Sequence, residues 1–433
     1  MCYAIPGKVE AIDDKFVTVN YFGERKKALN ELADLAVGDY IYAQGGFVIE
    51  KISPLEAEDI LATWRELFFE LQDLDVRLSR VELEKQGMDQ KLGHILDKVT
   101  AGKDLSREEY IYLLDLEDNS SKQLFYKTAN FLRQRYHGNA CCVHGIIEIS
   151  NYCGSNCAYC GIAETVSGLQ RYRMSRQEII ETAVEAVEKY GFKALVLQSG
   201  EDKGYTAGEL AGIIKEIKVR AAVLLFISFG EMEKQELQEL YNAGARGLLM
   251  RFETSNPQIY RQIHPGAELK DRLQVIRNAA ELGYLIVTGG LIGLPGQTRD
   301  DILNDIYLAQ ELSSEMISFG PCIPHPQTPL AQLPLPPEDN ILKVLALCRF
   351  IDPEKANIVV TTGLETISPN ARRKGLLAGA NSVMLNVTPL EYRKLYSIYP
   401  NRAHESETIA KQIAEIVSLL KSIGRAPTDL GRV

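Results

Sequence analysis

Residues 147–162 read IEISNYCGSNCAYCGI, a stretch in which an apolar run is followed at once by Cys153, Cys157 and Cys160 in a C-x3-C-x2-C array. Three thiolates on one short loop can bind three irons of a [4Fe–4S] cube and leave the fourth iron without a protein ligand. Tyr159 adds an aromatic ring beside such a cluster. A structural zinc site would need a fourth Cys or His at motif spacing, and three unrelated core cysteines are the other alternative. The array favours an iron–sulfur cluster with one open iron.

The chain around this array alternates between apolar runs typical of strands and amphipathic runs typical of helices. Strands are predicted at residues 143–149, 194–198, 223–228, 247–252, 285–292, 316–319, 357–361 and 382–386. Helices are predicted at residues 176–190, 209–218, 234–243, 272–282, 300–312, 340–350 and 369–378. Eight strands separated by helices predict an α/β protein with a complete (β/α)8 barrel of the TIM type, whose active site lies at the carboxyl ends of the strands.

Polar loops follow the second, fourth and fifth predicted strands, at that end of the barrel. Residues 198–202 place a glycine beside two carboxylates, which lets the chain approach an ammonium group. Arg251 and Glu253 offer a cation for a carboxylate and an acceptor for a hydroxyl or amine. The glycine-rich residues 288–298 permit close approach to an adenine ring, and they lack the Lys-Ser/Thr of a nucleoside triphosphate loop. The loops and the cysteine array therefore indicate one binding site.

Taken together, these features resemble the radical S-adenosylmethionine (SAM) signature, and residues 198–202 resemble the GGE-type motif that binds the SAM amino group. The resemblance implies that a [4Fe–4S] cluster and SAM are the cofactors. It also implies that the open iron chelates SAM and that reductive cleavage gives a 5′-deoxyadenosyl radical. Besides the three cysteines, the residues expected at the cofactors are Tyr159, Gln198, Ser199, Gly200, Glu201, Asp202, Arg251, Glu253, Arg272, Gly293 and Leu294.

Residues 105–433 resemble HydE, the radical SAM maturase family of [FeFe]-hydrogenase, within the branch shared with biotin synthase and methylornithine synthase. The stretches that carry the resemblance are NYCGSNCAYCGI, RYRMS, VLQSGED, RFETSNP, GGLIGLPGQT, FGPCIPHPQTPLA and MLNVTPLEYRKLYSIYP. The resemblance implies a barrel cavity that takes an organometallic iron species with CO and cyanide ligands. The residues expected to line that cavity are Thr361, Thr362, Met384, Tyr392 and Tyr396.

These cavity residues also have simpler interpretations. Tyr392 and Tyr396 stand at i and i+4, on one face of a helix, so they fit packing residues as well as ligand contacts. Met384 is of a residue type that is common in protein cores. No second set of cysteines recurs at the predicted strand ends, which disfavours sulfur insertion of the biotin synthase kind. No cysteine follows Cys348, so an auxiliary cluster near the C-terminus is not expected.

A separate unit opens the chain. Alternating apolar residues predict strands at residues 8–12, 16–21, 39–43 and 47–52 and hence a small β-barrel over residues 1–53. The opening MCYAIPGKV and the later GDYIYAQGGFVIEKI resemble the HypC/HupF chaperones of hydrogenase maturation. In that family the cysteine after the initiator Met, here Cys2, holds an iron fragment. Gln44 stands where the family usually has a His, so Cys2 is either a carrier thiol or a plain terminal residue.

A helical linker over residues 54–104 joins the two units. Its apolar residues alternate at spacings of four and three, which predicts a seam that packs on one partner helix from this chain or from a second copy. The seam consists of Ile60, Trp64, Leu67, Leu71, Leu74, Leu78 and Val81. The charged residues expected on the solvated face are Glu66, Glu70, Asp73, Asp75, Arg77 and Arg80.

Composition limits the classes of partner. The 433 residues carry a net charge of −10 with a pI near 5.4, and no block of Lys and Arg occurs, so nucleic acid and anionic membranes are not expected partners. No apolar run reaches the length of a membrane span, and the eight cysteines suit a reducing compartment, so we expect a cytoplasmic protein.

The expected function is radical SAM chemistry on an iron–CO/cyanide species in hydrogenase cofactor assembly, with other maturation proteins as partners. A second interpretation is C–H or carbon-skeleton chemistry on a small amino acid, as in methylornithine synthase. A third is a scaffold that carries an iron fragment without turning over SAM.

Overall fold

The computed structural model describes residues 5–81, 89–428 and 430, so Cys2 lies outside the described residues. Two closed barrels are joined by a long helix. Among the described residues, no helix combines the length and the apolar character needed to cross a membrane.

The first barrel is the small N-terminal one, and its five strands close in the order β1-β2-β3-β5-β4. The strands are β1 (Gly7–Asp13), β2 (Phe16–Tyr21), β3 (Glu24–Leu29), β4 (Tyr40–Gln44) and β5 (Phe47–Ile52). The four predicted strands are confirmed. The sequence did not indicate β3 because four of its six residues, in ERKKAL, are charged, and only Ala28 is buried.

The linker begins with α1 (Pro54–Ser79), and Ser53 caps it by accepting the N–H of Glu56. The predicted single partner helix is wrong for the first half of α1, because Trp64 and Phe68 pack into the core of the small barrel. The second half packs on α4 (Asn119–His137) of the same chain. Leu78, a predicted seam residue, is 37% exposed.

The prediction that Asp75 lies on the solvated face of α1 is wrong. Its side chain is 1% exposed because Arg133 and Arg425 bind it from two other elements of the chain. The buried stripe of α1 therefore includes a charged residue, and it lies closer to the i, i+3, i+4 pattern of an ordinary amphipathic helix than to a heptad seam.

The second barrel contains eight parallel strands in chain order, closed by pairing between the first and the last. Its strands are β6 (Ala140–Ser150), β7 (Ala194–Ser199), β8 (Leu224–Ser228), β9 (Ala245–Leu249), β10 (Leu285–Thr288), β12 (Met316–Ile317), β14 (Asn357–Val360) and β15 (Ser382–Asn386). Three short strands extend it, namely β11 (Leu291–Ile292), β13 (Gly320–Pro321) and β16 (Ala426–Pro427). The predicted (β/α)8 barrel is confirmed.

The remaining helices before the barrel are α2 (Gln90–Thr100) and α3 (Arg107–Leu114). Those around it are α5 (Arg176–Glu188), α6 (Ala207–Arg220), α7 (Lys234–Ala243), α8 (Pro257–Ile263), α9 (Leu269–Glu281), α10 (Arg299–Glu311), α11 (Glu338–Ile351), α12 (Thr362–Ile367), α13 (Ala371–Leu377), α14 (Leu390–Arg393) and α15 (Ile409–Ser422). Each predicted helix has a counterpart among them.

Several boundaries differ from the predictions, and two of them have clear local reasons. The fifth strand is split after Thr288, because Gly289 has φ 149° and lies so close to Ser318 that a Cβ atom would come within 2.2 Å of the Ser318 carbonyl oxygen. The predicted helix 369–378 begins two residues later, at Ala371, because Asn370 has the left-handed φ of 59°.

The small barrel packs on the amino ends of the strands of the large one. The turn between β4 and β5 lies there: a Cβ atom on Gly45 would be 2.7 Å from Leu285 and 2.9 Å from Leu224, which begin β10 and β8. Gln44 donates from Nε2 to the carbonyl oxygen of Thr428 at 2.6 Å. The carboxyl ends of the strands, where the predicted site lies, are therefore at the opposite face.

Candidate active site

The three-cysteine loop follows β6 and is held by backbone hydrogen bonds to three other parts of the barrel mouth. The N–H of Gly154 donates to Glu201 O at 3.0 Å, that of Ala158 to Ile263 O at 2.8 Å, and that of Gly161 to Ile398 O at 2.8 Å. Because these partners belong to segments that follow different strands, the tertiary structure fixes the loop. Cys153, Cys157 and Cys160 all carry free thiols and line one cavity of about 320 Å³.

The thiols of this loop are costly to ionise in the protein alone. Burial raises the pKa of the Cys160 thiol to about 12 and raises the pKa of the Cys153 thiol. Burial, and then the neighbouring thiols of Cys160 and Cys153, raise the pKa of the Cys157 thiol well above its usual range. Three adjacent thiolates are stable only with a cation that offsets their charge, so this donor set fits an iron–sulfur cluster.

Two arginines form three ion pairs at the cavity that the cysteines line. The guanidinium of Arg272 lies 3.3 Å from Glu201 and 3.0 Å from Glu231, and the guanidinium of Arg251 lies 3.2 Å from Glu253. The cavity thus offers both cations and carboxylates within reach of one ligand. Glu231 was not among the predicted residues, since it stands in an unremarkable acidic loop after the third strand.

Glu253 is held in an unusual conformation at this site. Its φ of 68° is left-handed, which a non-glycine residue adopts at a cost. Tyr159 donates its hydroxyl proton to Glu253 Oε1 at 3.3 Å, whereas Oε2 is buried without a hydrogen-bond partner in the described part of the chain. A buried carboxylate oxygen of this kind fits a donor group on a bound ligand.

The cavity wall contains most of the residues that the sequence singled out. Those expected at the cofactors are Tyr159, Gln198, Ser199, Gly200, Glu201, Arg251, Glu253 and Arg272, and those expected at the substrate are Thr361, Thr362, Met384 and Tyr396. Tyr396 is 2% exposed, and its hydroxyl accepts an N–H of Gln198 at 3.2 Å. Tyr399 also lines the cavity, although no periodic pattern in the sequence indicated it.

Two predicted residues lie outside the wall because other side chains bind them. Tyr392 stacks on Tyr172 at 4.8 Å between ring centroids and donates its hydroxyl proton to Glu178 at 2.6 Å. The Asp202 carboxylate pairs with Arg173 at 2.6 Å. Both side chains therefore support the loops around the cavity from outside.

Gly293 and Leu294 also lie outside the wall. The N–H of Gly293 donates to the side-chain oxygen of Gln297 at 2.9 Å, and Leu294 packs in an apolar cluster that includes Leu291 and Cys322. The glycine-rich segment approaches the cavity only through Leu291.

His264 is a cavity residue that sequence reasoning missed. It follows α8, and its Nδ1 atom lies 3.2 Å from the sulfur of Cys157. The two residues are 107 positions apart, so no local pattern connects them.

A closed parallel barrel with three thiols in the loop after its first strand, facing paired cations and carboxylates, defines a radical SAM enzyme. Sequence comparison agrees: the radical SAM superfamily matches residues 147–309. The Biotin and Thiamin Synthesis associated domain matches residues 318–421, and the HupF/HypC family matches residues 1–64. Enzymes of the radical SAM superfamily bind a [4Fe–4S] cluster and SAM.

Individual relatives indicate which family of radical SAM enzymes the chain resembles. The chain is 38% identical to the [FeFe] hydrogenase maturase subunit HydE of Thermotoga maritima over 77% of its own length and 94% of that protein. It is 28% identical to 3-methylornithine synthase of Methanosarcina acetivorans over 76% and 93% of the two chains. The crystal structure of methylornithine synthase (PylB) matches 77% of this chain and 97% of that one, with a TM-score of 0.68 and 25% identity. The chain belongs to the HydE family of radical SAM enzymes.

Proposed function

We propose that this enzyme cleaves SAM reductively and acts on an iron species with CO and cyanide ligands during assembly of a hydrogenase metallocofactor. One observation carries the proposal: two domains of different fold in the same chain each match a hydrogenase-maturation family. The large barrel matches HydE over nearly the full length of that protein, and the small barrel matches the HupF/HypC family. Other maturation proteins are the natural source of such an iron species.

The charges of the cavity support the SAM part of the proposal. The amino-acid end of SAM carries an ammonium and a carboxylate, and both need a partner of opposite charge when water is excluded. Arg251 and Glu253 can each exchange their mutual ion pair for one of these groups, and so can Arg272 and Glu201. Cys153, Cys157 and Cys160 would hold the cluster, which when bound would supply the electron for SAM cleavage.

The rest of the wall supports a substrate deeper in the barrel. Thr361 and Thr362 place hydroxyl groups at the end of β14, and Met384 and Tyr396 line the same space. Half-buried hydroxyl groups beside apolar side chains can orient a small ligand while keeping water away.

Two measurements test the proposal in sequence. The protein is reconstituted anaerobically with iron and sulfide and reduced, and 5′-deoxyadenosine is measured after SAM is added; none would reject the enzyme and favour a scaffold. Infrared spectra are then recorded after incubation with the other hydrogenase maturation proteins. Bands of CO and cyanide on this protein are expected, and active SAM cleavage without such bands would reject the organometallic substrate.

A second candidate is radical chemistry on a small amino acid. It is favoured by the TM-score of 0.68 with methylornithine synthase at 25% identity. Production of 3-methylornithine by the reconstituted enzyme would select this candidate over the first.

A further inference from the structure

His264 is fixed beside the cluster loop more firmly than its place at a helix end suggests. Its ring stacks on Tyr260 at 4.6 Å and meets the ring of Tyr159 edge-on at 5.8 Å. The carbonyl oxygen of the preceding residue, Ile263, accepts the N–H of Ala158. The histidine is 5% exposed. Packing and a backbone hydrogen bond thus hold the ring against the loop that carries Cys157.

The contact between His264 Nδ1 and Cys157 Sγ has a defined direction once iron is bound. A thiolate ligand has no proton, so its sulfur can only accept a hydrogen bond, and the nitrogen 3.2 Å away must be the donor. The other ring nitrogen, Nε2, is buried without a hydrogen-bond partner in residues 5–81, 89–428 and 430. Among the described residues, no hydrogen bond at Nε2 therefore favours a different ring orientation.

We infer that His264 is a positioning residue that donates its Nδ1–H to the sulfur of Cys157 and raises the reduction potential of the [4Fe–4S] cluster. Reduction adds negative charge that spreads onto the cysteine sulfurs, and a donor at a sulfur stabilises this charge. The inference needs the cluster on the three cysteines and does not depend on which substrate the enzyme uses.

The test is a potentiometric EPR titration of the reconstituted holoenzyme. His264→Phe keeps an aromatic ring between Tyr260 and Tyr159 but removes the donor, so the potential should shift to a more negative value. His264→Asn retains an N–H near the position of Nδ1, so its potential should return most of the way to the wild-type value. His325→Leu is the control, because the Nδ1 atom of His325 accepts the N–H of Gln327 and has no hydrogen bond to a cysteine sulfur in the part of the chain that the structure describes.

Equal potentials for wild type and His264→Phe would overturn the inference, and so would equal shifts in the Phe and Asn variants, which would indicate packing alone. Pulsed EPR of the reduced wild-type enzyme with ¹⁵N-labelled histidine gives an answer even where a variant loses its cluster. A weak coupling to one histidine nitrogen is expected, and its absence would contradict the hydrogen bond.

A second inference concerns the small barrel and rests on separate contacts. Phe47 and Ile49 of β5 belong to one apolar cluster with the inner side chains of the large barrel. Leu249, Val359 and Met384 pack in the same cluster and also line the active-site cavity. Apolar packing is therefore continuous from the small barrel to the floor of the cavity.

Polar contacts fix the small barrel in this position. Glu50 pairs with Lys193 at 2.9 Å, and Glu31 pairs with Arg246 at 2.9 Å. We infer that the small barrel is a fixed stopper: it closes the large barrel at the amino ends of its strands and supports the floor of the active-site cavity. It thereby limits the depth available to the substrate. A barrel held in this way does not act as a swinging delivery arm.

Hydrogen exchange followed by mass spectrometry on the full chain tests the stopper. Phe47→Ala should speed exchange in peptides that cover Leu249 and Met384, because a void below them loosens the floor. Phe16→Ala, on the 52% exposed Phe16 of the same small barrel, is the control and should leave these peptides unchanged. Unchanged exchange at the floor in Phe47→Ala would overturn the inference, as would an equal increase in both variants.

Discussion

Asp75 and Arg133 form a two-pronged ion pair from which water is excluded. Arg133 Nη1 and Nη2 donate to the two carboxylate oxygens at 2.6 and 2.7 Å, and the side chains are 0% and 1% exposed for Arg133 and Asp75. Arg425 adds a third contact at 3.1 Å. The pair joins the linker helix, the helix before the large barrel and the C-terminal segment. Because the groups are buried, each charge depends on its partners for stability.

Asp75→Ala should therefore lower the free energy of unfolding by about 3–5 kcal/mol, since it leaves two buried guanidinium groups without their carboxylate. Urea titration monitored by circular dichroism measures the change. Asp73→Ala removes a carboxylate that is 69% exposed two residues away and should have little effect. Similar unfolding curves for the two variants would show that the buried network does not contribute to stability.

Replacing Cys153, Cys157 or Cys160 with Ala should abolish the reconstituted cluster and SAM cleavage, because three thiolates are needed to hold three irons. Iron analysis, the visible spectrum and the 5′-deoxyadenosine assay give the answer. Cys348→Ala, at a fully buried thiol in α11, should retain the cluster. Full iron content in any of the three loop variants would contradict the assignment of the ligands.

Arg251→Ala should weaken SAM binding by about 2–5 kcal/mol, the usual cost of leaving a buried charge without its partner. Equilibrium binding to the reconstituted protein measures it. Arg261→Ala, at an arginine that is 56% exposed and paired with Glu268, should bind SAM as the wild type does. Unchanged affinity in Arg251→Ala would remove this arginine from the SAM site.

A chain that starts at Leu105 should be unstable, although it would retain every strand of the large barrel. Leu92, Ile95 and Leu96 of α2 are fully buried in the main core of the large barrel. Truncating one such side chain typically costs about 2–5 kcal/mol, and the deletion removes all three together with Asp75. Soluble yield and thermal unfolding test this; a soluble chain with the melting temperature of the full protein would show that α2 contributes nothing to the large barrel.

His404 should make stability depend on pH. Its Nε2 atom lies 2.9 Å from Glu365 and its Nδ1 atom 2.7 Å from Glu407, and the hydrogen bond to Glu365 raises the pKa of His404 despite burial and the nearby Arg372. A raised pKa means that the stabilisation is present at low pH and is lost as pH rises through the folded-state pKa. The loss of melting temperature in His404→Gln should be larger at about pH 6 than at about pH 9. His94→Gln, at an exposed histidine of α2, should show no such difference.

Local sequence patterns were sufficient to predict the two barrels and the three-cysteine loop. Alternating apolar strands, amphipathic helices and a C-x3-C-x2-C array are patterns of neighbouring residues, so their signal does not depend on the rest of the chain. The same is true of the loop residues at strand ends, because a parallel barrel brings all carboxyl ends to one face. For this reason the predicted cavity wall includes residues that the structure places there, among them Glu201, Arg251, Glu253 and Thr361.

Tertiary packing determines which of two similar side chains faces the site and which distant charges form pairs. Tyr392 and Tyr396 both follow β15, yet only Tyr396 reaches the cavity, since Glu178 and Tyr172 bind Tyr392 outside it. Asp75 is buried because Arg133 and Arg425 lie 58 and 350 positions away in the chain and are adjacent to it in space. Local periodicity carries no information about contacts of that separation, which depend on how the whole chain packs.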